Sequence, residues 1–299
     1  MTEPIDCAVI GGGPAGLVTA LYLLRFRRSV LIADRGDSRA AYIPRSHNFP
    51  GFPDGIGGKD LLALLHQQVE RYGRPAWGGE VLRVEKHDRI WRVVMQDSVC
   101  RARRIVFATG VTDRWPPMQN AKAAIDRGVL RFCPICDGFE AKDKRVAVIG
   151  DDDHAAREAM FLRTYSVSVS LLSDGRSLSP ETRLTLTREG VALAAIQPES
   201  LRFERDAIWA ADPAGAALAP FDVAYSALGN EPQTQLLATL GVTLDAGGCI
   251  GVDAHQQTSI SGLYAAGDAV RGLDQLSVAA GEAAIAATAV HNSLRERDG

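Results

Sequence analysis

Two cysteines and an aspartate stand together in Cys133-Pro-Ile-Cys136-Asp137-Gly138. Cysteines two residues apart can close a small disulfide ring, and a thiol at the opening of a helix has its pKa lowered by the positive end of the dipole. Such a pair is suited to cycling between dithiol and disulfide. Half a zinc site and a purely structural pair are the competing readings. Zinc needs further ligands at suitable spacing, and the chain has no second C-x-x-C and only six scattered histidines. No metal is expected. The other three of the five cysteines, Cys7, Cys100 and Cys249, lie in or beside apolar strand-like runs, where a thiol serves as a small buried hydrophobe. An odd cysteine count in a chain of this size is unlike a secreted disulfide framework.

The elements that must position this chemistry read as nucleotide-binding folds. An apolar strand, Cys7-Ala-Val-Ile10, enters Gly11-x-Gly13-x-x-Gly16, and the helix-like run LVTALYLLRF follows. Gly11 suits the tight turn, Gly13 the approach of backbone to a pyrophosphate, and Gly16 close packing of helix on strand. The helix start offers amide N–H groups to an anion. A second strand, Ser29–Ala33, ends at Asp34, placed to receive ribose hydroxyls. A third continuous apolar strand, Arg104–Gly110, and a later one, Gly262–Ala269 with Gly267-Asp268 at its end, belong to the same kind of fold. Residues 145–159, RVAVIGDDDHAAREA, begin another strand-loop-helix, so one nucleotide fold is inserted in another.

The 299 residues allow about two domains. A composition of 46% hydrophobic and 23% charged residues is that of an ordinary globular chain. A net charge of −3 gives no basic excess to neutralise a phosphate backbone, which speaks against nucleic acid as a partner. The start MTEPIDCAVI has no basic stretch followed by an apolar one, and no apolar run approaches membrane-spanning length. A cytoplasmic protein without membrane association is expected.

Six blocks, GGGPAG, NFPGFPDGIGG (48–58), ATG (108–110), CPICDG (133–138), GNEPQT (229–234) and YAAGDA (264–269), occur in an order and spacing that resemble the low-molecular-weight thioredoxin reductases and their relatives across nearly the whole chain. The resemblance implies an α/β fold with two Rossmann-like three-layer domains. An FAD-binding domain would take residues 1–112 and 228–299, and an inserted NAD(P)-type domain with the C-x-x-C would take 113–227. It implies a homodimer, and flavin contacts from Gly11, Gly13, Pro14, Ala15, Gly16, Asp34, Asn48, Ala108, Thr109, Gly110, Gly267, Asp268 and Gln275. It further implies that Cys136 exchanges electrons with the flavin, that Cys133 attacks the substrate disulfide, and that Asp137 is the acid-base group for the departing thiolate.

This chain departs from the family at several places. The inserted fold's loop has Asp152 where the second glycine of Gly-x-Gly-x-x-Ala belongs, in Gly150-Asp-Asp-Asp-His-Ala155. Two unit charges ~6 Å apart at an effective dielectric of ~20 repel by roughly 3 kcal/mol, less with screening, so Asp151 and Asp152 oppose a pyrophosphate. Aspartates at a helix start also simply cap it and suit its dipole, and Asp153 has the best claim to be merely structural, because the family commonly carries an aspartate at the matching position. After the next strand, Asp174 and Arg176 stand where NADPH-using relatives carry a histidine and paired arginines. Asp174 in that place also fits ribose recognition in NADH. Asp274 precedes Gln275 in place of an arginine, and Ser38-Arg-Ala-Ala41 replaces a glycine-glutamine pair near the flavin.

These features lead to a disulfide reductase acting on thioredoxin or a small disulfide, with a ferredoxin-like or other donor in place of NADPH. The alternatives are a conventional NAD(P)H-dependent reductase, a dithiol oxidase passing electrons to oxygen, and a non-catalytic flavin-binding protein. The basic clusters Arg25-Phe-Arg-Arg28 and Arg101-Ala-Arg-Arg104 read as solvated arginines before they read as docking sites.

Overall fold

The computed structural model of the chain describes residues 3–173 and 177–298 and divides it into two compact units. The first takes segments 1–41, 58–112 and 231–299, and the second 42–57 and 113–230. Asp174 and Arg176, flagged by sequence, lie outside the described residues.

In the first unit, β1 (Ile5–Ile10), β2 (Val30–Ala33), β3 (Ala76–Gly78), β4 (Val81–His87), β5 (Ile90–Met95), β6 (Val99–Phe107) and the strand Leu263–Ala265 form one sheet in the order β3-β2-β1-β6-β5-β4. Leu263–Ala265 also pairs with β6. β6 is long enough to serve two partnerships. Its N-terminal half pairs antiparallel with β5, and its C-terminal half runs parallel to β1 and Leu263–Ala265. Cys7, Ala8, Val9 and Ile10 are all buried, as expected of a parallel strand covered on both faces.

One face is covered by α1 (Pro14–Arg25), α2 (Gly58–Arg71) and the C-terminal helix Leu276–Asp298. There Leu17 and Leu23 pack with Ala283, Ala286, Ala287 and Val290, whose small side chains let helix backbones approach closely. On the other face lie Ile105, Phe107, Leu263 and the buried Trp91.

The second unit holds β7 (Leu130–Arg131), β8 (Arg145–Ile149), β9 (Ser168–Leu172), β10 (Ala192–Ala194) and β11 (Val223–Ser226) in a parallel sheet ordered β10-β9-β8-β11-β7. Its helices include α3 (Pro134–Asp137), α4 (Asp153–Leu162) and α5 (Pro180–Arg188). Val146, Val148, Ala155, Ala159 and Leu162 pack on one face; Ala147, Ile149, Ile125, Ile208 and Phe221 pack on the other. Each sheet is therefore the middle of three layers, the doubly covered α/β arrangement.

Residues 42–57 group with the second unit, a feature that the sequence reading does not contain. Aromatic packing gives a reason. Tyr42 meets Trp115 edge-on at 5.9 Å, and Trp115 lies 6.4 Å from Phe132, the neighbour of Cys133.

Two glycines of the first unit should respond oppositely to alanine. A Cβ on Gly16 would lie 1.8 Å from the Gly11 carbonyl oxygen, whereas one on Gly281 would meet nothing within 4 Å. Gly16→Ala should cost about 2–3 kcal/mol through backbone displacement, and Gly281→Ala should gain up to about 1 kcal/mol by raising helix propensity. Urea denaturation of the two variants checks the contrast.

Candidate functional site

Cys133 and Cys136 form a disulfide in the second unit, with a Cα–Cα distance of 5.3 Å. β7 delivers the chain to this point. Pro134, at the first position of α3, supplies a helix-compatible φ and lacks only an N–H that would have no helical partner. Cys133 is the N-cap, and its Sγ accepts the Cys136 amide at 3.2 Å. A helix-opening amide aimed at Sγ stabilises the negative charge that the sulfur carries once reduced.

Asp137 closes α3. Its Oδ1 is buried and has no hydrogen-bond partner among the described residues. Arg131 Nε stands 3.7 Å from Oδ2, and Arg131 Nη1 donates to the Asp137 carbonyl at 2.7 Å. The Tyr225 hydroxyl donates to the same carbonyl at 3.0 Å and accepts from Arg131 Nη1 at 3.2 Å. Burial pushes the Asp137 carboxyl up to about 6, against the pull of the Arg131 cation and the Tyr225 hydroxyl. A carboxyl in that range can hold or release a proton near neutral pH.

The first unit contains a tightly packed glycine turn. Gly11 has φ +111°, and a Cβ there would lie 2.1 Å from the Ala108 carbonyl oxygen. A Cβ on Gly12 would lie 2.3 Å from Asp34 Oδ2, one on Gly13 3.1 Å from Ser38 Oγ, and one on Gly267 2.8 Å from Ala15 Cβ. The turn before α1, the end of β2, Ala108 and Gly267 therefore converge on one place. Gly13 is the N-cap of α1 and brings no side chain to it, and Pro14 is at its first position. These residues fit a dinucleotide such as FAD, because no side chain caps the helix start and Asp34 stands beside it.

The other expected contacts, Asn48 excepted, lie in the same unit. Thr109 Oγ1 donates to the Gln233 carbonyl at 2.7 Å, and the Gln233 amide donates to the Gly110 carbonyl. Asp268 is ion-paired with Arg39 at 2.9 Å, and Asp274 lies 3.9 Å from the same guanidinium. Gln275 donates from Nε2 to the Asp274 carbonyl. Asn48 belongs to the second unit, where its Oδ1 accepts from Ser46 Oγ.

Sequence reasoning marked Ser38–Ala41 and Asp274 as separate departures without joining them; Arg39 joins the two segments. It missed Glu282, whose Oε2 accepts the Gly267 amide at 2.8 Å and whose carboxyl is raised by burial. It also missed Arg131 and Tyr225.

The second unit's loop has the opposite character. Asp152 is the N-cap of α4, and its Oδ1 accepts the Ala155 amide at 2.9 Å. Asp151 Oδ1 accepts from Ser173 Oγ at 3.0 Å, and Asp153 Oδ1 from the Ser179 amide at 3.4 Å. Of the three aspartates, Asp152 is the cap. Glu158, one turn on, is 3.3 Å from His154 Nε2 through Oε1, while its buried Oε2 has no hydrogen-bond partner among the described residues. Burial, aided by the Asp152 charge, pushes the Glu158 carboxyl up to about 7. Among the described residues no group of three or more His, Cys, Asp or Glu side chains is placed to hold a metal ion, and no helix is long and apolar enough to cross a membrane.

The raised Glu158 carboxyl makes stability depend on pH. Its folded value lies above its unfolded one, so the protonated form stabilises the fold fully below the ordinary glutamate range, and that contribution is lost as pH rises through about 7. Glu158→Gln should therefore raise the denaturation midpoint relative to the native chain at pH 8, with a smaller difference at pH 5. Equal differences at both values contradict the assignment.

Residues 5–283 match the family model described as pyridine nucleotide-disulphide oxidoreductase. A thioredoxin reductase of Streptomyces coelicolor is 30% identical over 290 residues, which cover 90% of this chain and 87% of that protein. The solved thioredoxin reductase of Streptococcus pyogenes MGAS5005 has a TM-score of 0.90 at 25% identity, covering 99% of this chain and 100% of that one. The solved structure of HlmI has a TM-score of 0.89 at 29% identity, covering 100% of this chain and 95% of that one. With a match that runs from the first strand into the last helix, the chain belongs to the pyridine nucleotide-disulphide oxidoreductase family and is an enzyme of that class.

Proposed function

We propose that the chain is an FAD-dependent, thioredoxin-reductase-like disulfide oxidoreductase that works through Cys133 and Cys136 and draws its electrons from a donor other than NADPH seated on the second unit. FAD belongs in the first unit, held by Gly11, Gly13, Pro14, Ala15, Gly16, Asp34, Ala108, Thr109, Gly110, Gly267, Asp268 and Gln275. The substrate is thioredoxin or a small disulfide, the donor a ferredoxin-like protein or other reductant, and the working state a homodimer.

The observation that carries the donor assignment is the carboxylate of Asp152 on the Ala155 amide. A pyrophosphate at this helix start would need that N–H, and would meet the charges of Asp151 and Asp152 while Glu158 waits one turn inside. The corresponding helix start in the first unit has glycine at the cap and no side-chain acceptor. One chain thus contains an open anion seat and a filled one.

When bound, FAD supplies two-electron exchange between the donor and the cysteine pair. The remaining steps belong to the chain. Cys133 as thiolate attacks one sulfur of the substrate disulfide, forming a mixed disulfide and releasing one substrate thiolate, which Asp137 protonates. Cys136 as thiolate then attacks Cys133 Sγ, releasing the second substrate sulfur and closing the Cys133–Cys136 ring. Two electrons leave the cysteines and two enter the substrate.

The test is anaerobic mixing of the FAD-loaded protein with NADPH and then NADH, following the oxidised flavin band at about 450 nm. Neither nucleotide should bleach it, while dithionite should. Bleaching within seconds by either nucleotide would establish a conventional reductase and remove the donor assignment. Oxygen consumption with a dithiol and no other donor would assign the reverse direction, a dithiol oxidase.

A further inference from the structure

We infer that Arg131 and Tyr225 are positioning residues for the proton donor Asp137, holding the end of α3 and setting the charge state in which the carboxyl meets a departing thiolate. This rests on the reading of Asp137 as general acid, and adds two residues that lie outside the C-x-x-C motif.

The geometry is specific. Arg131 reaches from β7 to three acceptors: Nε to the Gly128 carbonyl at 2.8 Å, and Nη1 to the Asp137 carbonyl at 2.7 Å and the Tyr225 hydroxyl at 3.2 Å. Its side chain is only 12% exposed. Tyr225 is fully buried on β11, where phenylalanine would fill the same space. A buried tyrosine hydroxyl requires a partner, and this one finds the Asp137 carbonyl at 3.0 Å. It also interacts with the carboxyl of the same residue. Two strands of the parallel sheet thus converge on the last residue of the short helix that begins at Cys133.

The electrostatics have a definite sign. Burial favours the protonated carboxyl, whereas Arg131 and the Tyr225 hydroxyl favour the ionised one. The other charged groups acting on Asp137 are Glu140, which opposes ionisation, and Lys144, which assists it. Arg131 is the largest of the ionising influences. Its removal should therefore leave Asp137 protonated to higher pH.

The experiment uses the full-length FAD-loaded protein, reduced anaerobically and mixed in single turnover with two disulfides. Bis(2-hydroxyethyl) disulfide releases a basic thiolate that needs a proton. Dithiobis(2-nitrobenzoate) releases a weakly basic one that does not, and leaving-group basicity controls exchange rates. With the first probe, the rate of the native protein should fall as pH rises through the Asp137 titration. In Arg131→Gln this limb should move up by about one pH unit, Arg131→Lys should restore it, and Tyr225→Phe should move it in the same direction by less. Rates with the second probe should keep their pH dependence.

Equal slowing of both probes at every pH, with the limb unmoved, overturns the inference and leaves Arg131 a structural residue. Asp137→Asn separates this from failure of the underlying reading. If that variant keeps the falling limb, Asp137 is not the acid, and both fall; if it loses the limb while Arg131→Gln leaves it in place, only the positioning role falls. Should Arg131→Gln fail to fold, judged by circular dichroism, Tyr225→Phe carries the same decision.

Discussion

A helix that follows a strand begins with amide groups that no carbonyl of its own can satisfy. What meets those amides decides the character of each half of this molecule. At α1 the cap is glycine and no side chain makes a cap hydrogen bond, a helix start of the kind that suits an anion. At α4 the chain meets its own need with Asp152. The same strand-turn-helix frame thus lacks a side-chain cap in one place and is capped by a carboxylate in the other. The difference is a single side chain at the cap, reinforced by two flanking aspartates.

The dithiol pair depends on a related use of amides and carbonyls at a much shorter helix. Cys133 caps α3 and receives the Cys136 amide, while Arg131 and Tyr225 secure the carbonyl at its other end. A four-residue helix has little stability of its own. Its geometry comes from β7 and β11, which belong to a sheet packed on both faces. The Cys133–Cys136 ring is thereby anchored to two strands of that sheet.

The α/β class and the sheet-forming runs were legible because their signals are local. Cys7–Ile10, Arg104–Phe107 and Arg145–Ile149 are continuous apolar strands, and the glycines from Gly11 to Gly16 are recognisable by their spacing alone, although Ala108, Asp34 and Ser38, which crowd three of them, are distant in sequence. The cysteine pair was legible for the same reason. The supports of Asp137 were not. Tyr225 is 88 residues away in sequence, and only the parallel pairing of β11 with β7 brings them together. Glu282 reaches Gly267 from the C-terminal helix, and a lone glutamate in an alanine-rich run carries no mark of that task. Residues 42–57 read as part of the first domain by sequence order, whereas the Tyr42–Trp115 contact ties them to the second unit. The opposition between phosphate and aspartate at 151–153 was visible as composition; which aspartate occupies the amide required coordinates.

The proposed choice of donor rests on Asp152, whose carboxylate holds the Ala155 amide at the start of α4. The most direct measurement is calorimetric titration of NADP⁺ into the oxidised, FAD-loaded protein. No saturable binding is expected up to about 1 mM, a limit that corresponds to about −4 kcal/mol. Saturation at micromolar concentration with one nucleotide per chain would contradict it, and would require Asp152 to give up the Ala155 amide when the nucleotide arrives.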